Sequence, residues 1–330
     1  MYFSSILAAT ALSFLIVSAS VIPVPPSRRA EDDAPVMNID FADPSILEDD
    51  EGNWYAFGTT GNGKHIQVAK ADCIYGNWSL LDDVDALPQY ASWSTGSNTW
   101  APDVHQLSDG SFVMYYSGEV ADNPSHHCIG TATSDTITGP YIPEEEPFAC
   151  NLTVGGAIDA SGFEDDDGTR YVVYKVDGNS IGHGGSCGNT VQPIVPTPIM
   201  LQEVESDGVT KVGDAVQILD RTEDDGPYVE APSLIRTEKG MYILFFSSGC
   251  YLEPSYNVNY ATSMSVSGPY TRAKQPLLRT GEYGLQAPGG ATAVHVRDKI
   301  GVVYHANCQE GRCMHTSPTD IDGRDVDVVI

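Results

Sequence analysis

Trp100-Ala101-Pro102-Asp103-Val104, followed by Asp109-Gly110-Ser111-Phe112-Val113-Met114-Tyr115-Tyr116, is the stretch that decides the fold. A Pro-containing turn opens it, a short apolar strand follows, and an Asp-Gly turn leads into a strand rich in aromatic and β-branched residues. That order reads as a β-hairpin, because Asp-Gly supplies turn chemistry and the flanking runs favour a pleated, half-buried surface. The plan recurs four more times. Asp43-Pro44-Ser45-Ile46-Leu47 precedes Gly52-Asn53-Trp54-Tyr55-Ala56-Phe57, and Asp159-Ala160-Ser161-Gly162-Phe163 precedes Asp167-Gly168-Thr169-Arg170-Tyr171-Val172-Val173-Tyr174. Glu230-Ala231-Pro232-Ser233-Leu234 precedes Lys239-Gly240-Met241-Tyr242-Ile243-Leu244-Phe245-Phe246, and Pro288-Gly289-Gly290-Ala291-Thr292 leads to Lys299-Ile300-Gly301-Val302-Val303-Tyr304-His305.

With Asp43, Trp100, Asp159, Glu230 and Pro288 as markers, the units recur at roughly 60 residues, the length of a four-stranded propeller blade with its loops. No long amphipathic helical stretch interrupts them. Outer strands echo one another as well: Ile129 to Ser134 before Thr138-Gly139-Pro140-Tyr141, and Val258 to Ser263 before Ser267-Gly268-Pro269-Tyr270. The sequence therefore predicts an all-β, five-bladed β-propeller. A β-sandwich with chance similarity does not account for the regular spacing.

The chain has 330 residues, with 17 Lys+Arg against 45 Asp+Glu and a formal net charge of −28. Hydrophobic residues make up 41% and charged residues 19%, which is too apolar for a disordered chain. So acidic a chain has no basic stripe for nucleic acid and is repelled by anionic lipid, whereas a neutral polysaccharide is a compatible partner. An uncharged start with an apolar run from Ile6 to Val17 and small residues after it reads as a signal peptide over 1–19. Residues 20–36, Pro-rich and carrying Arg28-Arg29, read as a linker or pro-segment, leaving 37–330 as the propeller. Seven cysteines in a secreted chain favour disulfides and leave at least one thiol over; Cys308 and Cys313 are close enough to pair. No zinc spacing occurs among them. Sequons at Asn77 and Asn151 fit an extracellular glycoprotein. A monomer is expected.

In a propeller the markers that open each unit converge at one funnel, and three of them, Asp43, Asp159 and Glu230, are carboxylates. Neighbouring charges and burial push such groups' pKa values apart, and glycoside hydrolysis needs one protonated and one ionised carboxyl. All three sit among small or apolar residues, unlike the solvent-type runs Glu144-Glu145-Glu146 and Asp165-Asp166-Asp167.

From Asp40 to about Asp320 the chain resembles glycoside hydrolase family 43. The resemblance rests on Ala42-Asp43-Pro44-Ser45, Trp100-Ala101-Pro102-Asp103-Val104, Ile158-Asp159-Ala160-Ser161 and Glu230-Ala231-Pro232-Ser233, in that order. It implies a five-bladed propeller in which Asp43 is the general base, Asp159 tunes and orients, and Glu230 is the general acid. It also implies inversion, so the Asp43 and Glu230 carboxyls are expected roughly 6.5–9.5 Å apart, with Asp159 raising the acid's pKa. Trp100 is the candidate sugar platform, since a flat aromatic face packs on a sugar ring. Phe41 is placed in the pocket wall, and Ser161 and Arg312 are candidate partners for sugar hydroxyls.

The fifth unit departs from the resemblance. Many members carry a His after a Pro-Gly pair there, associated with a channel metal, and here Gly290 holds that place. The departure weighs against a channel calcium, no metal ligand is assigned, and no cofactor is required. His295 and His305 read as structural. Gly182 to Gly188 lacks the strand-to-helix context of a phosphate cradle and reads as a loop rimming the pocket. The expected function is secreted α-L-arabinofuranosidase or arabinanase action on plant cell-wall arabinan or arabinoxylan. Family β-xylosidases commonly append a C-terminal β-sandwich, so β-xylosidase ranks second. A non-catalytic carbohydrate-binding propeller is the third reading; an enzyme of the sucrose and fructan families fits less well, because Ala231 follows Glu230.

Overall fold

The computed structural model describes residues 34–329. The expected signal peptide and most of the 20–36 segment lie outside them. Five antiparallel sheets follow one another along the chain. Blade 1 is β1 (Ser45–Glu48), β2 (Trp54–Gly58), β3 (Gln67–Ala71) and β4 (Ser79–Leu80). Blade 2 is β5 (Trp100–Gln106), β6 (Phe112–Glu119), β7 (His127–Ser134) and β8 (Ile142–Pro143). Blade 3 is β9 (Ala157–Glu164), β10 (Arg170–Val176), β11 (Ile199–Val204) and β12 (Lys211–Leu219). Blade 4 is β13 (Val229–Arg236), β14 (Tyr242–Ser248), β15 (Asn257–Ser263) and β16 (Thr271–Arg272), with β17 (Leu278–Arg279) also paired to β15. Blade 5 is β18 (Gly289–Val296), β19 (Lys299–Cys308), β20 (Gly311–Asp322) and β21 (Asp325–Val328). The first strand of each blade touches its neighbours around a closed ring, β18 meeting β1. The expected five-bladed propeller is what the chain forms.

The core sits between blades, and strand alternation puts it there. On β14, Ile243 and Phe245 pack with Val302 and Tyr304 of blade 5, while Tyr242, Leu244 and Phe246 face Val173 and Leu201 of blade 3. Side chains two residues apart share a face, so a continuously apolar strand serves two neighbours at once. Each large side chain buried in this way contributes about 1.5–3 kcal/mol. The first hairpin turn is shared too: Gly52, Gly110, Gly168 and Gly240 have φ between +79° and +89°, a conformation open to glycine without a Cβ clash. The two outer echoes occupy one place in blades 2 and 4, where Tyr141 and Tyr270 each donate a hydroxyl hydrogen bond to the carbonyl four residues back. The ring closes through the N-terminal segment, whose Val36 N–H bonds the Met314 carbonyl and whose Phe41 N–H bonds that of Arg312. Residue 36, expected in the linker, thus already belongs to the propeller.

Every innermost strand is kinked at its start by one residue in the left-handed region: Asp43 (φ 50°), Ala101 (43°), Asp159 (57°), Ala231 (48°) and Gly290 (58°). Four of these are not glycine, a backbone cost of about 1 kcal/mol or more each. Side chains hold the kinks. Asp43 N–H donates to His305 Nδ1 at 3.1 Å, Ala101 N–H to Thr59 Oγ1 at 3.0 Å, Asp159 N–H to Ser117 Oγ at 3.0 Å and Gly290 N–H to Ser247 Oγ at 3.0 Å. Each acceptor lies at the top of the second strand of the preceding blade. In blade 3 the corresponding residue is Lys175, which pairs with Ile158 as Ser117 pairs with Trp100 and Ser247 with Glu230. An ammonium cannot accept a hydrogen bond. The Ala231 N–H turns instead to Asp159 Oδ2, at 2.9 Å.

These kinks correct the register of the repeat. Asp43 and Asp159 occupy the kinked position itself, whereas Trp100 and Glu230 stand one residue before it and Pro288 two before. Trp100 and Glu230 therefore share the slot of Ala42, Ile158 and Gly289, immediately before each kink.

Candidate active site

Asp43 precedes β1, and its carboxylate sits among groups drawn from blades 1 and 5. Thr59 Oγ1 donates to Oδ2 at 2.6 Å while itself accepting from Ala101 N–H, so the kink of blade 2 aims that hydroxyl at Asp43. Arg312 Nη1 lies 3.4 Å from Oδ1, and His305 Nδ1 lies 3.3 Å from the same oxygen. Burial by itself would raise the carboxyl's pKa; the Arg312 guanidinium, with the groups hydrogen-bonded around it, outweighs burial and holds it below the usual carboxylate range. Burial also keeps the His305 imidazole below its ordinary value and neutral. Because Nδ1 accepts the Asp43 N–H, the ring proton belongs on Nε2, and among the described residues Arg312 is the cation at the carboxylate.

Glu230, on β13, is anchored from two sides. Tyr256 OH donates to Oε1 at 2.8 Å, and Lys175 Nζ lies 3.0 Å from Oε2. Lys175 is fully buried, with Asp177 Oδ1 also 3.0 Å from its Nζ and the Tyr228 ring centroid 4.3 Å away. Asp159 is pushed up to about 8, by burial first and then by the charge of Glu230. The charge of Glu230 thus makes the buried Asp159 carboxyl hold its proton more tightly than an ordinary aspartate.

Gly289 and Gly290 make the room for this arrangement. A Cβ on Gly289 would stand 1.8 Å from Tyr256 Cε1, and one on Gly290 would stand 2.7 Å from His305 Nδ1 and 2.8 Å from Asp43 Oδ1. The Tyr256 and His305 rings stack at 5.9 Å, joining the partner of Glu230 to the partner of Asp43.

Of the other sequence-derived candidates, Arg312 reaches the site and also lies over the Tyr251 ring, 5.6 Å from its centroid. Trp100 is half-buried and stacks on His127 at 3.6 Å, which covers one face of its ring. Ser161 lies two residues beyond the kink and lines an axial cavity of about 30 Å³, close to the room for one water, together with Asp43, Asp103, Asp159 and Thr292. Phe41 requires correction: it is fully buried against Met37, Trp54, Val303 and Met314, and its ring fills the space beside Gly58. It presents no surface to a sugar and packs behind the segment that carries Asp43.

His305, read as structural, contacts Asp43 directly, while His295 is exposed on β18. Asp165, read as part of a solvent-type run, accepts from Tyr242 OH at 2.6 Å and Arg236 Nη1 at 2.9 Å, tying blade 3 to blade 4. Thr59, Lys175, Tyr228 and Tyr256 were not singled out from the sequence. The usable signal was a polar residue at one fixed place in every second strand, with Lys175 conspicuous between Tyr174 and Val176. The Gly182–Gly188 loop packs Cys187 against Tyr228 and Tyr256 and is tied to blade 4 by the Cys187–Cys250 disulfide. Cys128–Cys150 and the expected Cys308–Cys313 also form, and Cys73 is free.

The carboxylates lining the channel are bonded to Thr59, Arg312, His105 and backbone N–H groups. Gly290 brings no imidazole, and no group of three or more His, Cys, Asp or Glu able to hold a metal occurs among the described residues.

A family model described as glycosyl hydrolases family 43 matches residues 33–323. An extracellular endo-α-(1→5)-L-arabinanase of Thermotoga petrophila is 30% identical over 257 residues, covering 69% of this chain and 50% of that protein. The extracellular endo-α-(1→5)-L-arabinanase 2 of Bacillus subtilis is 27% identical over 266 residues, covering 72% of this chain and 51% of that protein. The chain thus spans about half the length of these curated relatives. Among solved structures, a thermostable family-43 glycoside hydrolase superposes with a TM-score of 0.74 at 24% identity, covering 91% of this chain and 95% of that one, which supports the fold. With the ordered motifs and the propeller, the match across nearly the whole described chain establishes that this protein belongs to glycosyl hydrolase family 43.

Proposed function

We propose that the protein is a secreted, inverting glycoside hydrolase that cleaves α-L-arabinofuranosyl linkages of plant cell-wall arabinan or arabinoxylan. The observation that supports this reading is the contrast between the two carboxyls: Asp43 lies beside the Arg312 guanidinium and the Thr59 hydroxyl, which favour its ionised form, whereas Glu230 is held on its two oxygens by Tyr256 and Lys175. Asp43 accepts a proton from a water whose oxygen attacks the anomeric carbon. As the C1–O bond breaks, the Glu230 carboxyl gives its proton to the leaving oxygen, and Asp159 governs how firmly that proton is held. Trp100 stacks on a sugar ring at the mouth, and Arg312 both steadies the base and donates to sugar hydroxyls.

The arabinan specificity draws on the printed names of the Thermotoga and Bacillus relatives, which also favour attack on internal bonds and an extracellular location. Three disulfides and the apolar N-terminal run agree with secretion. A panel of aryl α-L-arabinofuranoside, aryl β-D-xyloside, linear arabinan and arabinoxylan, run beside Glu230→Gln, tests the reading. Arabinose or arabino-oligosaccharide release that disappears in the variant is expected. Xylose release would favour the β-xylosidase alternative, and binding without turnover on all four substrates would favour a carbohydrate-binding propeller.

A further inference from the structure

The one break in the ring of kink-holding side chains falls beside Glu230. Blades 1, 2, 4 and 5 supply Thr59, Ser117, Ser247 and His305, each of which accepts the N–H of the next kink. Blade 3 supplies Lys175, which gives up that task. Its ammonium, without any exposed surface, takes Glu230 Oε2 and Asp177 Oδ1 instead, each at 3.0 Å. A buried cation beside a proton donor lowers its pKa, so less of the carboxyl holds a proton ready to give. Asp177 stands on the other side of the same ammonium and offsets it.

We propose that Lys175 is the positioning residue of the general acid, and that Lys175 with Asp177 forms a charge-balanced couple setting how tightly the Asp159–Glu230 pair holds its proton. The inference rests on the hydrolytic reading of Glu230 given above. The ammonium fixes the Glu230 carboxyl against the Tyr256 hydroxyl, so that one oxygen is held by each partner. The titratable groups around the couple are Asp159 on β9, Tyr228 and Glu230 at β13, Tyr256 before β15, and His127 on β7, which feels the Asp177 charge. Asp43 acts on Asp159 from blade 1. Lys175 and Asp177 bring charges of opposite sign to the same side of Glu230, with Lys175 in direct contact.

The test follows the proton with and without turnover. Carboxyl-carbon NMR titration of the wild type, Lys175→Met, Asp177→Asn and the double variant reports the pair's proton even if no substrate is cleaved. Lys175→Met is expected to move the pair's titration upward by about one pH unit or more, Asp177→Asn downward by a similar amount, and the double variant back toward the wild type. The basic limb of the kcat/KM profile on linear arabinan should move the same way. Turnover of a dinitrophenyl arabinofuranoside, whose leaving group needs little protonation, should be much less affected.

If Lys175→Met does not fold, Asp177→Asn carries the test alone. Unmoved titrations, shifts of one sign in both single variants, or an equal loss on both substrates at every pH would overturn the proposal and leave Lys175 a structural residue. Failure of the hydrolase reading would look different: the wild type would be inactive on both substrates, whatever the titrations show.

Discussion

Replacing Gly289 by Ala should disable the acid without touching it. The added Cβ would lie 1.8, 2.4 and 2.6 Å from Tyr256 Cε1, Cδ1 and Cζ. Carbon atoms in contact prefer about 3.5–4 Å, so the ring must move by roughly 2 Å. The Tyr256 hydroxyl is 2.8 Å from Glu230 Oε1, and such a displacement takes it out of bonding range. Burial holds the Tyr256 phenol well above its usual pKa, so it is a donor throughout the working range. Losing a hydrogen bond to a carboxylate is worth about 1.5–3 kcal/mol, or about 10- to 100-fold in kcat if it is made fully in the transition state. Overpacking adds about 1–3 kcal/mol of instability, a few degrees in Tm for a domain of this size. The assay is kcat on linear arabinan beside a thermal melt, with Tyr256→Phe as control. That control keeps the ring and loses only the hydroxyl, so it should match the kcat loss with a smaller fall in Tm. A Gly289→Ala protein with wild-type kcat would refute the role assigned to Tyr256.

Arg312→Met and Thr59→Val should each raise the pKa of Asp43 and move the acidic limb of the pH–rate profile upward, by about one unit or more for the arginine. Because the native Asp43 pKa is depressed, its contribution to stability is present above the unfolded value and fades as pH falls; a pH series of melts on Arg312→Met should show less of that acid-side loss. Removing the Cys187–Cys250 disulfide, whose cysteines are 63 residues apart, should cost about 4 kcal/mol on the chain-entropy account. It should also lower kcat by freeing the loop packed on Tyr228, as melts and turnover with and without reductant would show. Asp165→Ala should destabilise by about 1–3 kcal/mol in urea titrations, because Tyr242 and Arg236 lose an acceptor at a blade junction.

The architecture was legible because propeller physics is local. Asp109-Gly110 and Asp167-Gly168 are turns wherever they occur, and runs such as Tyr242 to Phe246 can be buried on both faces only between two sheets. The register of the catalytic ring was not legible to the residue. A left-handed kink at Ala101 or Asp159 carries no glycine to announce it, so Trp100 and Glu230 aligned with Asp43 one position early. Partners from distant blades were hidden for a different reason. His305 meets Asp43 across 262 residues of sequence, and only ring closure brings them together. Phe41 looked like pocket wall because it neighbours Asp43; its direction is decided by the missing side chain at Gly58, which admits the ring into the core.

The account stands most directly on the stereochemistry of the first turnover. Proton NMR of the newly released sugar, recorded before mutarotation on an aryl α-L-arabinofuranoside, reads it without any variant. Inversion by Asp43 and Glu230 predicts the β-anomer first, with no methyl glycoside when methanol is added. An initial α-anomer, or trapping by methanol, would mean a covalent intermediate and contradict Asp43 as a base acting through water.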